Sequence, residues 1–141
     1  MESITREIDF CGMPDQIASS VMQLLPNTTV RTPGSDYYRE QAKYALVVVI
    51  AALQANKQEI NLRVLSDLFV APVNLRFLAN SLALGSDRLQ LEMFLNRFCL
   101  GSKSRHFDVK LFNMTLGGLI ARLWRAAADV DRSVELESSY S

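Results

Sequence analysis

Residues with metal or redox chemistry are scarce in this chain, which has one histidine and two cysteines among 141 residues. Around His106 no cysteine or carboxylate stands at zinc-ligand spacing, so an exposed loop histidine is the simpler interpretation. Cys11 and Cys99 are far apart and lack a CxxC arrangement, which is typical of a reducing compartment where cysteine fills apolar space. We therefore predict no metal site and no cofactor.

Catalytic motifs are also missing. The sequence lacks a GxxxxGK phosphate loop, which excludes nucleotide hydrolysis by this segment, and it lacks a GxSxG nucleophile elbow. Cys99 and His106 make a poor dyad, because a thiol between two large apolar residues at a helix end is expected to be buried. Asp129 and Asp131 have neither a glycine turn nor a glutamate at calcium-loop spacing. We predict no catalytic residues and a binding role instead.

The sequence has no net charge and no long apolar run. Fifteen basic residues balance fifteen acidic ones, so no overall field draws the molecule to nucleic acid or to an anionic membrane. The longest apolar run, residues 45–53, is well short of the roughly 20 residues of a membrane span. Residues 1–10 carry three acids and one arginine before any apolar run, unlike a signal peptide, and we expect an intracellular protein.

Apolar residues recur at helical spacing along most of the chain, which is nearly half apolar and one-fifth charged. This pattern predicts an all-α fold: a compact bundle of about six helices with extended or disordered ends. Proline, asparagine, serine, aspartate and glycine at the boundaries predict helices over residues 14–25, 36–55, 62–70, 73–84, 86–99 and from 108 onward. We expect a non-helical lead-in over residues 1–13, a helical domain over 14–128 and an extended or disordered tail over 129–141.

Two of these helices carry further information. The second half of the second helix is apolar on every side from Tyr44 to Leu53, which predicts that other helices surround it. In the middle of the last helix stand Gly117 and Gly118, each costing about 1 kcal/mol relative to alanine, and we expect the pair to permit close backbone packing. The spacing predicts that the last helix buries Val109, Phe112, Leu116, Leu119, Ile120, Leu123 and Trp124.

The segment over residues 97–125 is locally basic, with Asp108 as its single acid. Its basic residues, interleaved with His106 and Phe107, could follow a phosphate backbone. Alternatively they are solubilising charges at a helix hairpin, or the acidic residues of the tail fold back onto them. These candidate nucleic-acid or partner-binding residues are Arg97, Lys103, Arg105, Lys110, Arg122 and Arg125.

A second candidate surface lies at the start of the second helix. Tyr37, Tyr38 and Arg39 belong to residue types that are enriched at protein interfaces, so they are a candidate protein-binding site. In the alternative interpretation, the aromatic rings pack under the preceding loop. The sequence leaves both interpretations open.

Three segments together resemble a known family. Residues 24–53 (LLPNTTVRTPGSDYYREQAKYALVVVIAAL), 61–79 (NLRVLSDLFVAPVNLRFLA) and 112–124 (FNMTLGGLIARLW) are similar to the all-alpha domain of type IV coupling proteins, the TraD and TraG class of ATPases in conjugation and type IV secretion. In that family an acid, two aromatics and a charged residue open the long helix, as Asp36, Tyr37, Tyr38 and Arg39 do here. The resemblance covers roughly residues 14–128.

The resemblance implies a non-catalytic, cargo-binding domain inserted into a parent ATPase, at the cytoplasmic side of the bacterial inner membrane and without direct membrane contact. Implied partners are a relaxase or relaxosome or effector proteins, possible DNA cargo, the parent ATPase domain and the secretion machinery. The family assigns no binding residues that can be transferred here. A competing hypothesis is a free-standing helical adaptor or oligomerisation domain that associates through Phe69, Val70, Val73 and Phe77.

Overall fold

The computed structural model describes residues 10–25, 35–99 and 107–139, and for residues 35, 36 and 131–139 it describes the backbone alone. This part of the chain forms an all-α bundle of six helices without a strand, which confirms the predicted fold class. The helices are α1 (Pro14–Leu24), α2 (Ser35–Ala55), α3 (Leu62–Val70), α4 (Val73–Ser81), α5 (Ser86–Asn96) and α6 (Val109–Ser139).

Several helices begin at the residues where local sequence signals predict a helix start. The Asn61 side chain accepts a hydrogen bond from the Val64 amide at 2.9 Å, and Asp108 accepts one from the Leu111 amide at 3.0 Å. Each side chain satisfies an amide that has no partner within its helix. Helix α5 begins at Ser86 as predicted, and Gly85 occupies its N-cap position.

Two helices end earlier than predicted. Helix α4 stops at Ser81, whose hydroxyl donates to the Leu78 carbonyl at 2.7 Å, and Leu82 then turns into extended backbone. Helix α5 stops at Asn96, because Cys99 forms an antiparallel bridge with Phe107. After α5 the chain thus leaves the helix to make a contact that local periodicity does not encode.

Replacing the α3 cap tests the first of these signals. Asn61→Ala is expected to lower the free energy of unfolding by about 1 kcal/mol, because it removes the acceptor for an orphan helix amide. Urea unfolding followed by circular dichroism measures this loss. Asn113→Ala, at an exposed position inside α6, is the matched control and should leave stability unchanged or slightly higher. Equal losses in the two variants would argue against a capping role.

Helix α2 is the central helix, as its apolar composition predicts. It packs against α1, α4, α5 and α6. Most of its second half is buried, Val47 and Ala51 are half-buried, and Tyr44 is exposed over 42% of its surface. The buried residues of this half are Ala45, Leu46, Val48, Val49, Ile50, Ala52 and Leu53.

An aromatic cluster joins α6 to the rest of the core. The Phe112 ring centroid lies 5.1 Å from that of Phe98, 5.4 Å from that of Phe107 and 6.4 Å from that of Phe69. The Asp108 amide donates to the Phe98 carbonyl at 2.7 Å. Phe112 therefore packs beneath the point where the chain returns from residue 99 to residue 107.

The buried stripe of α6 differs in part from the prediction. Val109 is 50% exposed and Trp124 is 59% exposed, so both are wrong as core residues. The observed core positions follow steps of three or four residues, and Trp124 lies one residue beyond that stripe. A single-residue step turns about 100° around a helix, which is enough to leave the core. The residues that α6 buries are Phe112, Leu116, Leu119, Leu123 and Ala127.

Helix α6 is longer than predicted. It continues to Ser139, so the structure corrects the extended or disordered segment predicted over residues 129–139. No glycine or proline follows Gly118 up to residue 139, and the backbone hydrogen-bond ladder therefore continues. Its 31 residues span about 46 Å at the usual helical rise. In the described part of the chain no helix is long and apolar enough to span a membrane.

Candidate binding surfaces

A groove opens between the end of α3 and the middle of α6, and we call it the α3–α6 groove. Two large apolar side chains stand exposed beside it, with 52% of Val70 and 59% of Trp124 open to solvent. Trp124 is the only tryptophan of the chain. The groove has a volume of about 490 Å³ and is lined by Val70, Gly117, Ile120, Ala121, Arg122, Trp124 and Arg125. Exposed apolar side chains gathered at one concave surface are typical of an interaction site.

The glycine pair of α6 faces open space, not a packed neighbour. Among the described residues, a Cβ atom added at Gly117 or at Gly118 would meet no atom within 4 Å other than the nearby backbone of α6 itself. The prediction that these glycines permit close backbone packing within the described residues is therefore wrong. Gly117 lines the α3–α6 groove, and its missing side chain leaves room there for an atom from outside.

More apolar surface lies on α4, the next helix after Val70. Val73 is 59% exposed and Phe77 is 64% exposed, and their spacing of four residues places them on one helix face. Both fit the predicted self-association surface. Phe69 does not, because it is fully buried against Phe112. Val70 and Phe69 point in different directions, as neighbours on a helix do.

The aromatic residues at the start of α2 are exposed. Tyr37 and Tyr38 are each about half exposed, and their rings contact edge to face at 5.4 Å, beside exposed Arg39. Their predicted role as an interface stays a prediction. The alternative, packing under the preceding loop, concerns residues 26–34, which lie outside the described residues.

This surface extends further along α2, which the sequence analysis did not predict. Arg97 donates a hydrogen bond to Gln41 at 2.8 Å, and its guanidinium carbon lies 5.6 Å from the Tyr44 ring centroid. Tyr37, Gln41 and Tyr44 follow one another at steps of four and three, a helical spacing that could have revealed their common face. Arg97 is thus held against α2.

The predicted basic residues do not form one strip in the described part of the chain. The hydrogen bond from the Asp108 amide to the Phe98 carbonyl holds the start of α6 beside the end of α5. Arg97 and Lys110 therefore lie at the same end of the bundle. Arg122 and Arg125 line the α3–α6 groove, 12 and 15 residues further along α6 than Lys110, which corresponds to about 18–22 Å.

The remaining predicted residues of the basic segment are not covered by the structure. Lys103, Arg105 and the nearby His106 lie outside the described residues. Among the residues that are described, no group of three or more histidine, cysteine or acidic side chains could hold a metal ion.

Comparison with known proteins found no significant match to this chain. No protein-family model matches this chain, and neither a curated protein sequence nor a solved structure is significantly similar to it.

Proposed function

We propose that this chain is a protein-binding domain that uses the α3–α6 groove, and that it serves as the non-catalytic cargo-recognition domain of a type IV coupling ATPase. One observation carries the binding role: the single tryptophan, Trp124, is 59% exposed at a groove that also exposes Val70. The resemblance to coupling proteins supports the more specific role in recognising a relaxase or an effector protein. The parent ATPase then holds the domain at the cytoplasmic side of the inner membrane.

The energetics of the groove favour a protein partner. Burying a large apolar side chain contributes roughly 1.5–3 kcal/mol, and Trp124 and Val70 both have at least half of their surface available for burial. Tryptophan and arginine dominate the binding energy of many interfaces, and Trp124 is followed directly by exposed Arg125. An apolar anchor beside a charged rim is the usual composition of a protein-binding patch.

Nucleic acid is the weaker candidate for this surface. The net charge of the chain is zero, and Lys110 is about 18 Å or more along α6 from Arg122 and Arg125. Duplex DNA carries a phosphate charge every 1.7 Å or so, which rewards a continuous basic track. The described basic residues fall into separate groups, and the apolar groove has no counterpart on a phosphate backbone.

A fluorine label on the single tryptophan tests the cargo-binding role. With 5-fluorotryptophan incorporated, the chain should give one ¹⁹F NMR signal from Trp124, and this signal should shift when relaxase or effector proteins encoded in the same genome are added. Trp124→Ala should weaken that binding, measured by calorimetry, by about 30-fold, as expected for an interface hot spot. Leu84→Ala, which changes an 89% exposed leucine outside the groove, should bind as wild type does.

Two outcomes would contradict the proposal. The groove is not the binding site if Trp124→Ala binds cargo as tightly as wild type. Binding to single- or double-stranded DNA that weakens with salt and disappears in Lys110→Glu, without any binding to cargo proteins, would point to a nucleic-acid function instead.

A free-standing adaptor or oligomerisation domain is the second candidate, and the exposure of Val73 and Phe77 on one face of α4 supports it. In this case two copies would cover these side chains. Sedimentation velocity of wild type and Phe77→Ser distinguishes the candidates, since a wild-type chain that stays monomeric at high concentration would contradict self-association.

A further inference from the structure

We infer that the partner segment in the α3–α6 groove is an acidic amphipathic helix, with its apolar face against Gly117, Ala121 and Trp124 and a carboxylate beside Arg125. This inference rests on the proposed protein-binding function and names the chemistry of the partner. It depends on the length of the groove, on the hydrogen-bonding needs of a bound backbone and on charge complementarity.

The length of the groove suits two turns of a helix. Its α6 residues run from Gly117 to Arg125, eight residues apart, which corresponds to about 12 Å. Helices that bind in grooves use anchors at positions i, i+3 or i+4, and i+7, which span about 10 Å. One such set of anchors would therefore fill the groove from end to end.

The lining of the groove favours a helix over an extended peptide. A bound strand leaves backbone amides and carbonyls that need partners, whereas a helix satisfies its own. The groove offers mainly apolar surface, and the described residues contain no strand whose edge could pair with a peptide. Small residues in the groove lining, Gly117 and Ala121, would let a second helix approach α6 closely.

The charge of the groove selects acidic partners. Among the described residues, its lining contains two arginines and no carboxylate, and because Arg122 already interacts within the chain, Arg125 is the arginine that meets the partner. The first acids along the two helices, Asp67 on α3 and Asp129 on α6, are outside the lining residues. The side chain of Arg125 is exposed at the rim, where a partner carboxylate could reach it. A glutamate next to an apolar anchor would thus meet a positive rim, and a lysine there would be repelled.

Three synthetic peptides test the inference. The first is an amphipathic helix with leucine on one face and glutamate on the other, the second has lysine in place of every glutamate, and the third is a scrambled form of the first. None contains tryptophan, so the fluorescence of Trp124 reports binding. The glutamate peptide should shift the emission to shorter wavelength and bind about tenfold more tightly than the lysine peptide, with a preference that weakens in salt.

Variants of the groove locate this binding. Arg125→Glu should reduce or reverse the preference for glutamate over lysine, while Lys110→Glu, the same charge change elsewhere on α6, should leave it unchanged. Gly117→Leu and Ala121→Leu place side chains in the groove and should abolish binding of the glutamate peptide. Circular dichroism of both variants confirms folding, and either one alone suffices for the test.

Several results would overturn the inference. Equal affinity for the glutamate and lysine peptides would remove the acidic preference, and equal affinity for the scrambled peptide would remove the helical one. The inference as a whole would be wrong if no peptide bound. It would also be wrong if sedimentation experiments showed that a second copy of the chain covers the groove. The proposed function would still be decided separately, by the ¹⁹F titration with whole cargo proteins.

Discussion

Replacing Phe112 with alanine is expected to lower the free energy of unfolding by about 3–5 kcal/mol. Phe112 is fully buried, and its ring contacts those of Phe69, Phe98 and Phe107. Truncation removes the apolar surface that these three rings share and leaves a cavity that a helical bundle can only partly close. Since a domain of this size is typically stable by about 5–15 kcal/mol, the loss is a large fraction of the total.

Urea unfolding of matched variants measures this effect. Phe77→Ala removes the same atoms at a position that is 64% exposed, and we expect a loss of less than about 1 kcal/mol there. Phe112→Leu keeps most of the apolar volume, should lose less than Phe112→Ala, and gives a measurable value if the alanine variant does not fold. Similar losses for Phe112→Ala and Phe77→Ala would show that the aromatic cluster does not stabilise the bundle as described.

The double replacement of Gly117 and Gly118 with alanine is expected to raise the free energy of unfolding by about 2 kcal/mol, roughly 1 kcal/mol for each glycine. Both residues lie inside α6, and a Cβ atom at either position meets no described atom within 4 Å beyond the nearby backbone of α6. Alanine therefore lowers the conformational entropy of the unfolded chain without creating a clash. Thermal and urea unfolding both measure the gain.

The reverse substitution is the control for this prediction. Ala121→Gly, at an exposed position of the same helix, should lower stability by about 1 kcal/mol. If the double alanine variant were less stable than wild type, a group from the chain itself would have to occupy the space at the glycines. The α3–α6 groove would then not be open.

The glycine pair also bears on function. A helix that keeps two glycines with no packing role gives up stability, and proteins commonly do so where binding requires space. In the proposed function, that space at Gly117 admits a partner side chain beside Trp124 and Val70. Stability and cargo binding are therefore expected to change in opposite directions when this position is filled.

In the proposed function, the α3–α6 groove is the cargo-binding site of a domain that resembles those of coupling proteins. In a coupling ATPase the nucleotide chemistry belongs to the parent domain, and a helical insertion contributes recognition. A groove with an apolar anchor and two arginines would give such an insertion a defined site for one segment of a cargo protein. In the proposed function, the exposed Tyr37 and Tyr38 would offer a second face for contact with the cargo or with the parent ATPase domain.

Much of the fold could be predicted because its signals are local. Asn61 and Asp108 cap helices through contacts three residues away, and Pro72 separates α3 from α4. The apolar composition of α2 required a central position, since a helix that is apolar on every side must be surrounded. These features depend on neighbours in sequence or on hydropathy alone, so they could be predicted from a single sequence.

Local sequence signals were sufficient to predict the helical class, most helix starts and the central position of α2, and to identify the candidate residues. Which of those residues meet depends on how the helices pack: packing exposes Trp124, buries Phe69, separates Lys110 from Arg122 and Arg125, and leaves Gly117 open within the described part of the chain. The reason is geometric. Neighbouring positions on a helix differ by about 100°, so whether a side chain is buried depends on where the other helices pack.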